Sequence, residues 1–331
     1  MKSGLNILGM GYAYPENRID NLFLENLETG TSAAWIEEKI GILTRATTLP
    51  LDYIKLTRNQ DPKEAIDAAL MSPTDLGFQA AKMALERAGI GGSDIGMILC
   101  NCCTPVGTAP SESHRIAERF GIDGIAAFDV FTACPVFALH IDLLNRYRPE
   151  ELPDYILCIS TATLTQRVNY NDRTDGAIWG DGAAAYVVSS RHAGKLKVDY
   201  SNYVTDPSRC EAVVVDTYGY FHQDGRAVRN FSVLQTVKMA RELEAQFSVN
   251  WNRDIFIGHQ ANYTMLQQIT NNRGISESNH WHNVTTIGNQ AGAGAPATLA
   301  EHWDEIKPGQ KIVVAVVGAG LSWGSLLLQM P

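Results

Sequence analysis

One cysteine in this chain stands where a nucleophile would. Cys134 follows a strand-like run (126–130, AAFDV) and a short link, Phe131-Thr132-Ala133, and Pro135 comes directly after it. Proline suits the first turn of a helix, where its missing N–H costs nothing. The sequence therefore predicts Cys134 at the N-cap of the apolar helix PVFALHIDLLNRY. The dipole and free N–H groups at that end favour a thiolate and lower the thiol pKa. Such a thiolate can attack an activated carbonyl and carry the acyl group as a thioester. Two further residues could assist it. His259 ends an apolar run in the polar cluster His259-Gln260-Ala261-Asn262, and Asn289 stands in the small-residue run GNQAGAGAP. Small residues let the backbone approach closely, as the floor of a crowded site requires. The glycine loop at 316–325 (VVGAGLSWGS) could aim backbone N–H groups at a developing oxyanion. It does not read as a phosphate loop, because no Lys-Ser/Thr follows and it leads into the strand-like SLLLQ. The opening ILGMGYAYP likewise lacks the full dinucleotide fingerprint.

The elements that must hold these residues come from an internal echo. A helical stretch at 76–90 precedes Asp94-Ile95 and the strand-like GMILCNC; another at 233–247 precedes Asp254-Ile255 and the strand-like FIGHQ. Downstream, HRIAERF leads to Gly121-Ile122 and the strand AAFDV, while MLQQITNNR leads to Gly274-Ile275 and a predicted strand at 284–287, VTTI. Helices then start near Pro135 and near Pro296, and each leads to an apolar strand, 155–160 or 311–317. The offset is roughly 155–160 residues throughout, too long for a solenoid repeat. Alternating strands and helices imply an α/β chain of two duplicated βαβ-rich halves, 1–190 and 191–331, packed about a pseudo-twofold axis. Cys134 and Asn289 fall at matching places in the two halves, and His259 ends a strand of the second. In α/β folds ligands gather at such strand ends.

Bulk properties narrow the classes. A chain of 331 residues can bury a large core. Its net charge of -9 argues against nucleic acid as the main partner. The longest apolar runs, such as 312–317, are too short to span a bilayer, and the start of the chain is a poor signal peptide. A cytoplasmic protein away from membranes is expected. Cys100, Cys102, Cys103 and Cys158 lie in apolar runs, where thiols pack as small hydrophobes. The C-x-C-C cluster lacks a second ligand pair, and His280 and His282, flanking Trp281, have no obvious third ligand, so no metal site is expected.

Taken in order, these residues resemble the β-ketoacyl-acyl carrier protein synthase III family of the thiolase superfamily. The match runs along nearly the whole chain. It takes in Trp35-Ile36 with Gly41-Ile42, FDVFTAC ending at Cys134, Asp172-Arg173, WGDGAAA at 179–185, HQAN at 259–262, Gly288-Asn289 and GAGLSWGS at 318–325. The resemblance implies a thiolase-like fold layered α-β-α-β-α. It implies Cys134 as the acylated nucleophile, with His259 and Asn289 as the matching His and Asn of the triad. The backbone N–H groups of Cys134 and Ala319 would form the oxyanion hole. It further implies Claisen condensation: a malonyl- or β-ketoacyl-type thioester binds, His259 and Asn289 stabilise its enolate, and the carbanion attacks the acyl-cysteine. Substrates would arrive on coenzyme A or on the phosphopantetheine of an acyl carrier protein, with no separate cofactor and no metal. Trp35, Arg173 and Asn262 match substrate-binding positions. A homodimer and an acyl carrier protein partner follow from the same resemblance, and an acidic chain then needs a local basic patch to dock an acidic carrier.

The departures concern substrate more than reaction. Pro135 and Val136 follow the cysteine where the family usually has small residues, and Ala109 stands where many relatives carry a bulkier residue that closes the acyl pocket across the dimer interface. Thr264 occupies a place where many housekeeping members have arginine. These changes point to specialised fatty-acid, polyketide-type or secondary-metabolite synthesis. Two alternatives share the sequence: transfer of the acyl group from Cys134 to an alcohol, amine or water, and a silent partner subunit of a heteromeric synthase. The complete set Cys134, His259 and Asn289 speaks against the latter.

Overall fold

The computed structural model describes residues 4–173, 176–216 and 219–331. Nine strands form its main sheet: β1 (Asn6–Ala13), β2 (Ile95–Cys102), β3 (Ala126–Asp129), β4 (Tyr155–Thr163), β5 (Asp181–Ser189), β6 (Leu196–Thr205), β7 (Ile255–Gly258), β8 (Lys311–Gly318) and β9 (Ser322–Gln329). Their order is β7-β8-β9-β6-β1-β5-β4-β2-β3. β1 and β6 meet through only two residue pairs, Asn6 with Lys197 and Ile7 with Leu196. Outward from this narrow seam the two flanks run alike. β1-β5-β4-β2 and β6-β9-β8-β7 each give two antiparallel pairings and then a parallel one. The sheet thus carries the duplication anticipated from the sequence. We propose that the halves divide at 190/191, in the connection between Ser189 and Leu196.

Eight helices matter for the layers and the site: α1 (Ala33–Ile40), α2 (Pro73–Ala88), α3 (Glu112–Phe120), α4 (Val136–Leu144), α5 (Gly225–Phe247), α6 (Tyr263–Arg273), α7 (Val284–Ile287) and α8 (Gly294–Glu301). Leu76, Ala80 and Ile116 of α2 and α3 pack on the outer face of the first flank with Ile98, Leu157 and Val187. Met239, Leu243 and Ile269 of α5 and α6 do the same on the second flank with Phe256, Val313 and Ala315. Between the flanks lie α4 and α8, whose Phe137, Ile141 and Leu299 share a core with Ile156, Tyr186, Val314 and Leu326. Five layers result. β8 shows why its sequence is continuously apolar: Val313 and Ala315 point to the outer helices, Val314 and Val316 to the central ones. α4 is apolar nearly all round for the same reason, being a middle layer. The central helices also cross over, α4 packing on β6 and β9 and α8 on β1 and β5. No helix among the described residues is long and apolar enough to cross a membrane.

One predicted strand is absent. Residues 284–287 form the short helix α7, and among the described residues the second flank has no counterpart of β3 beyond an isolated parallel bridge between Phe256 and His280. The cause is a side chain: Gln260 Oε1 accepts the N–H groups of Asn283 (3.1 Å) and Val284 (3.3 Å), so these donors are committed to a helical start. Tertiary hydrogen bonding here overrides the β-branched composition of VTTI.

Asp181, in the W-G-D-G run, shows how two segments beside β5 are tied down. Its buried carboxylate accepts the N–H and hydroxyl of Thr48 (both 2.8 Å) and the N–H and hydroxyl of Thr165 (2.9 and 2.6 Å). Burial pushes its pKa from 3.8 up to about 6, against the pull of these four bonds. Between those values the folded protein binds more proton than the unfolded chain, so this group's contribution falls as pH rises from about 4 to about 6 and is flat above. A shift of that size corresponds to about 3 kcal/mol. Denaturant titrations of the wild type and Asp181→Asn should show the wild type losing about that much relative to the variant across the same window.

Candidate active site

Cys134, His259 and Asn289 line one cavity of about 260 Å³. The remaining walls are largely apolar, with Ile178, Trp179, Phe221 and Met265 among them, while the exposed side chains of Trp35, Lys39 and Arg229 mark the mouth.

Cys134 differs from expectation in one respect. Helix α4 begins at Val136 with Pro135 as its cap (φ -80°, ψ 21°), so Cys134 lies one residue outside the helix. Burial pushes its thiol up to about 12, and only its own backbone N–H pulls the other way. Burial thus acts against the lowering expected from the helix mouth, because desolvation penalises the thiolate. The glycine loop supplies part of that enclosure. A Cβ on Gly318 would lie 2.7 Å from Pro135 Cδ and 2.9 Å from Cys134 N, so the loop backbone rests directly on the cysteine backbone. Ala319, the next residue, lines the same cavity. The Ser322 hydroxyl donates to the Ala319 carbonyl at 2.7 Å and fixes the turn.

Asn289 is held on both sides. Its N–H donates to Ile178 O (2.9 Å) and its carbonyl accepts from Gly180 N–H (3.0 Å). The preceding Gly288 has φ 82° and ψ -176°, a conformation essentially confined to glycine. The Asn289 side-chain oxygen accepts the Ala291 N–H at 2.9 Å. Only the oxygen of an amide can accept, so the NH₂ end is left to donate toward a ligand. His259, at the end of β7, is buried, and burial lowers its pKa to about 4. The ring is neutral at physiological pH, a donor at one nitrogen and an acceptor at the other.

Beneath these two arms runs a polar network that sequence reasoning did not find. Gln260 bonds to Gly258 O as well as to the start of α7, and Asn283 Nδ2 donates to Tyr14 Oη (2.9 Å), whose hydroxyl donates to Glu301 Oε1 (2.8 Å). Its members are 287 residues apart at the extremes, and no local pattern announces it. A second omission did have a signal. Helix α5 starts at Gly225, not near 233, because the Asp224 side chain caps it through the Ala227 N–H at 3.1 Å. The extra turns bring Val228, Arg229, Phe231 and Ser232 to the cavity wall.

The expected substrate-binding residues divide. Trp35 is at the mouth on α1, with the Arg173 guanidinium 5.6 Å from its ring centroid and Arg173 Nη1 donating to Gly30 O at 2.8 Å. Asn262 lines the cavity but also caps α6, its side chain accepting the Met265 N–H at 2.8 Å. Ala109 does not join them. It sits exposed on the loop before α3, outside the cavity lining, and a single chain does not bring it to Cys134.

A cavity lined by residues of both half-repeats and roofed by a glycine hairpin, over a sheet whose central helices cross, is the arrangement of the thiolase-like fold. Comparisons with known proteins agree. Residues 128–207 match the 3-oxoacyl-[acyl-carrier-protein] synthase III family model, and residues 251–330 match the model for that family's C-terminal part. A β-ketoacyl-[acyl-carrier-protein] synthase III of Neisseria meningitidis is 29% identical over 98% of both chains. The crystal structure of 3-oxoacyl-[acyl-carrier-protein] synthase III from Aquifex aeolicus superposes with a TM-score of 0.85 at 26% identity, covering 98% of this chain and 99% of that one. A priming β-ketosynthase of a polyketide pathway shares the fold, with a TM-score of 0.82 at 21% identity over 100% of this chain and 97% of that one. This chain belongs to the β-ketoacyl-acyl carrier protein synthase III-like family of the thiolase superfamily, and is a transferase of that type.

Proposed function

We propose that this protein forms carbon–carbon bonds by Claisen condensation, with Cys134 as the acyl carrier. The observation that carries the proposal is the convergence of a thiol, a neutral imidazole and a pinned carboxamide on one cavity. In the first step the Cys134 sulfur attacks an acyl thioester. The carrier thiol leaves and takes up the proton that Cys134 gives up, with His259 as the basic group available to relay it. A malonyl-type thioester then loses CO₂. Its carbonyl develops enolate charge, which the Asn289 NH₂ and the His259 N–H stabilise as neutral donors. The carbanion attacks the acyl-cysteine carbonyl, whose oxyanion the N–H groups of Cys134 and Ala319 receive. Expulsion of the Cys134 sulfur, which takes up a proton from solvent in place of the one that left on the first carrier thiol, releases the β-ketoacyl thioester. Apart from that proton, each step uses only groups of this chain and its thioester substrates.

The likeness to β-ketoacyl-acyl carrier protein synthases supports donors and acceptors borne on phosphopantetheine, whether of coenzyme A or of a carrier protein. The mouth supports it too. Lys39 and Arg229 at the opening, and Arg173 beside Trp35, give an acidic chain a local cationic rim for phosphates or an acidic carrier. The double variant Lys39→Glu and Arg229→Glu should raise KM about tenfold with kcat nearly unchanged, and the difference should shrink at high salt. Steady-state kinetics at two ionic strengths check this. A homodimer, in which a second chain brings Ala109 to the acyl pocket, and a place in specialised fatty-acid or polyketide-type synthesis belong to the same proposal.

The deciding experiment is intact-mass spectrometry after exposure to a panel of acyl thioesters, followed by addition of a malonyl thioester. Acyl mass should appear on the protein and then leave as a β-ketoacyl product. Release as free acid, ester or amide, with no ketone, would replace condensation by simple acyl transfer.

A further inference from the structure

About the start of α6, on the solvent side of the second flank, three side chains gather that the proposed reaction does not use. The third partner of His280 and His282 is Glu277, three residues before His280 in the sequence, and one ligand atom from each lies within 4.8 Å of the others. Extended backbone explains the pair. His280 bridges Phe256 in parallel register and Trp281 N–H donates to Phe256 O at 3.1 Å, so residues 280 and 282 share one face while Trp281 turns inward to stack on His302.

The hydrogen bonding of this cluster is incomplete. The His280 side chain is fully buried, and neither of its ring nitrogens has a hydrogen-bond partner among the described residues. Glu277 Oε2 lies 3.8 Å from His280 Nδ1, too far for a hydrogen bond. His282 reaches Glu277 Oε1 at 2.8 Å through Nε2, while its Nδ1 is buried without a partner. Buried imidazole nitrogens that face a carboxylate without bonding it are unusual, because the cost of desolvating them is not returned. A cation between the three would meet each of them with a lone pair.

We propose that Glu277, His280 and His282 form a binding site for a divalent transition-metal ion, Zn²⁺ by ligand type. Two imidazoles and one carboxylate are a common three-ligand set for zinc, with water in the fourth position. Tetrahedral bonds of about 2.1 Å place ligand atoms about 3.4 Å apart, so the side chains need only draw together by about an ångström. The supporting shell is present as well. The Tyr263 hydroxyl donates to Glu277 Oε1 at 3.0 Å, and such bonds orient a ligating carboxylate. The site is reachable, because Glu277 is 61% exposed. It joins the turn after α6 to the segment that leads through α7 to Asn289, and Tyr263 follows directly on the run from His259 to Asn262. A bound ion would therefore brace both arms of the active site from outside the cavity.

The test uses the full-length protein, stripped with a chelator and titrated with ZnSO₄ against a chromophoric competitor, and in parallel with CoCl₂. One equivalent of Zn²⁺ should bind per chain. The Co²⁺ form should show four-coordinate d–d bands without a thiolate charge-transfer band, which separates this site from the cysteines. His282→Ala and Glu277→Gln should each weaken Zn²⁺ by at least about 100-fold, while metal-free unfolding curves confirm that both variants fold. Zn²⁺ should also raise the melting temperature of the wild type but not of the variants. Absence of stoichiometric binding, a thiolate band, or full affinity in both folded variants would overturn the assignment.

Discussion

Cys134→Ala should take up no mass from any acyl thioester, and its condensation turnover should fall by at least about a thousandfold. The expectation rests on how the other thiols are placed. Cys100, Cys102 and Cys158 are fully enclosed, and burial raises all three thiols. Cys103, which burial pushes up to about 12, lies outside the cavity lining, so it is poorly placed to substitute. Cys210 is exposed but lies outside the cavity lining, and peptide mapping distinguishes stray labelling there. The raised thiol of Cys134 adds a second readout. Alkylation of the free enzyme should be slow at neutral pH and accelerate as the pH climbs toward the thiol's own value, without the plateau of a preformed thiolate. Alanine removes little volume, and the backbone contact with Gly318 is untouched, so loss of loading cannot be assigned to collapse of the site. Acyl mass persisting on the Cys134→Ala protein would refute the role given to this residue.

Asn289→Asp should separate the two half-reactions. The variant keeps an oxygen to accept the Ala291 N–H, so the turn after Gly288 is preserved, but it replaces the NH₂ donor with a carboxylate aimed at a developing negative charge. Acylation of Cys134 should continue within a few-fold of the wild type, while decarboxylation of a malonyl thioester should fall by about 10²–10³, or about 3–4 kcal/mol. His259→Ala should cost a similar amount in decarboxylation. Combining it with Asn289→Asp should cost less than the sum, since both donors serve one oxygen. Release of labelled CO₂ from pre-acylated enzyme measures this directly. Equal losses in loading and decarboxylation would show that Asn289 acts on structure and not on the enolate.

The residues that do the proposed chemistry were legible because each terminates a repeated element. Cys134 and Asn289 stand at matching places ahead of the central helices α4 and α8, and His259 follows a buried strand, so an offset in the sequence becomes a meeting point in space. That helices cover both faces of the sheet was legible for a related reason, since strands such as β8 carry apolar residues on both faces; the five-layer order came only with the family resemblance. What escaped was settled by contacts between distant segments. Gln260 turned an anticipated strand at 284–287 into a helix through two side-chain bonds. Asp224 lengthened α5 and so changed which residues line the cavity. The thiol of Cys134 was expected to be lowered by its helix, yet burial, to which the distant glycine loop contributes, pushes it the other way. Local spacing says nothing about how dry a site will be.

The crossing of the central helices has a consequence for how the molecule can come apart. The arm that bears the sulfur inserts into the opposite flank, and that flank's own middle helix inserts into the first, like two hands with fingers interlaced. Neither flank owns a complete interior. Residues 1–190 made alone would lay Phe137 and Ile141 open to water, and the fragment beginning at 191 would bare the inner row of β8. Melting should therefore remove the cavity and the scaffold in one event, with no intermediate in which one flank stands folded without the other.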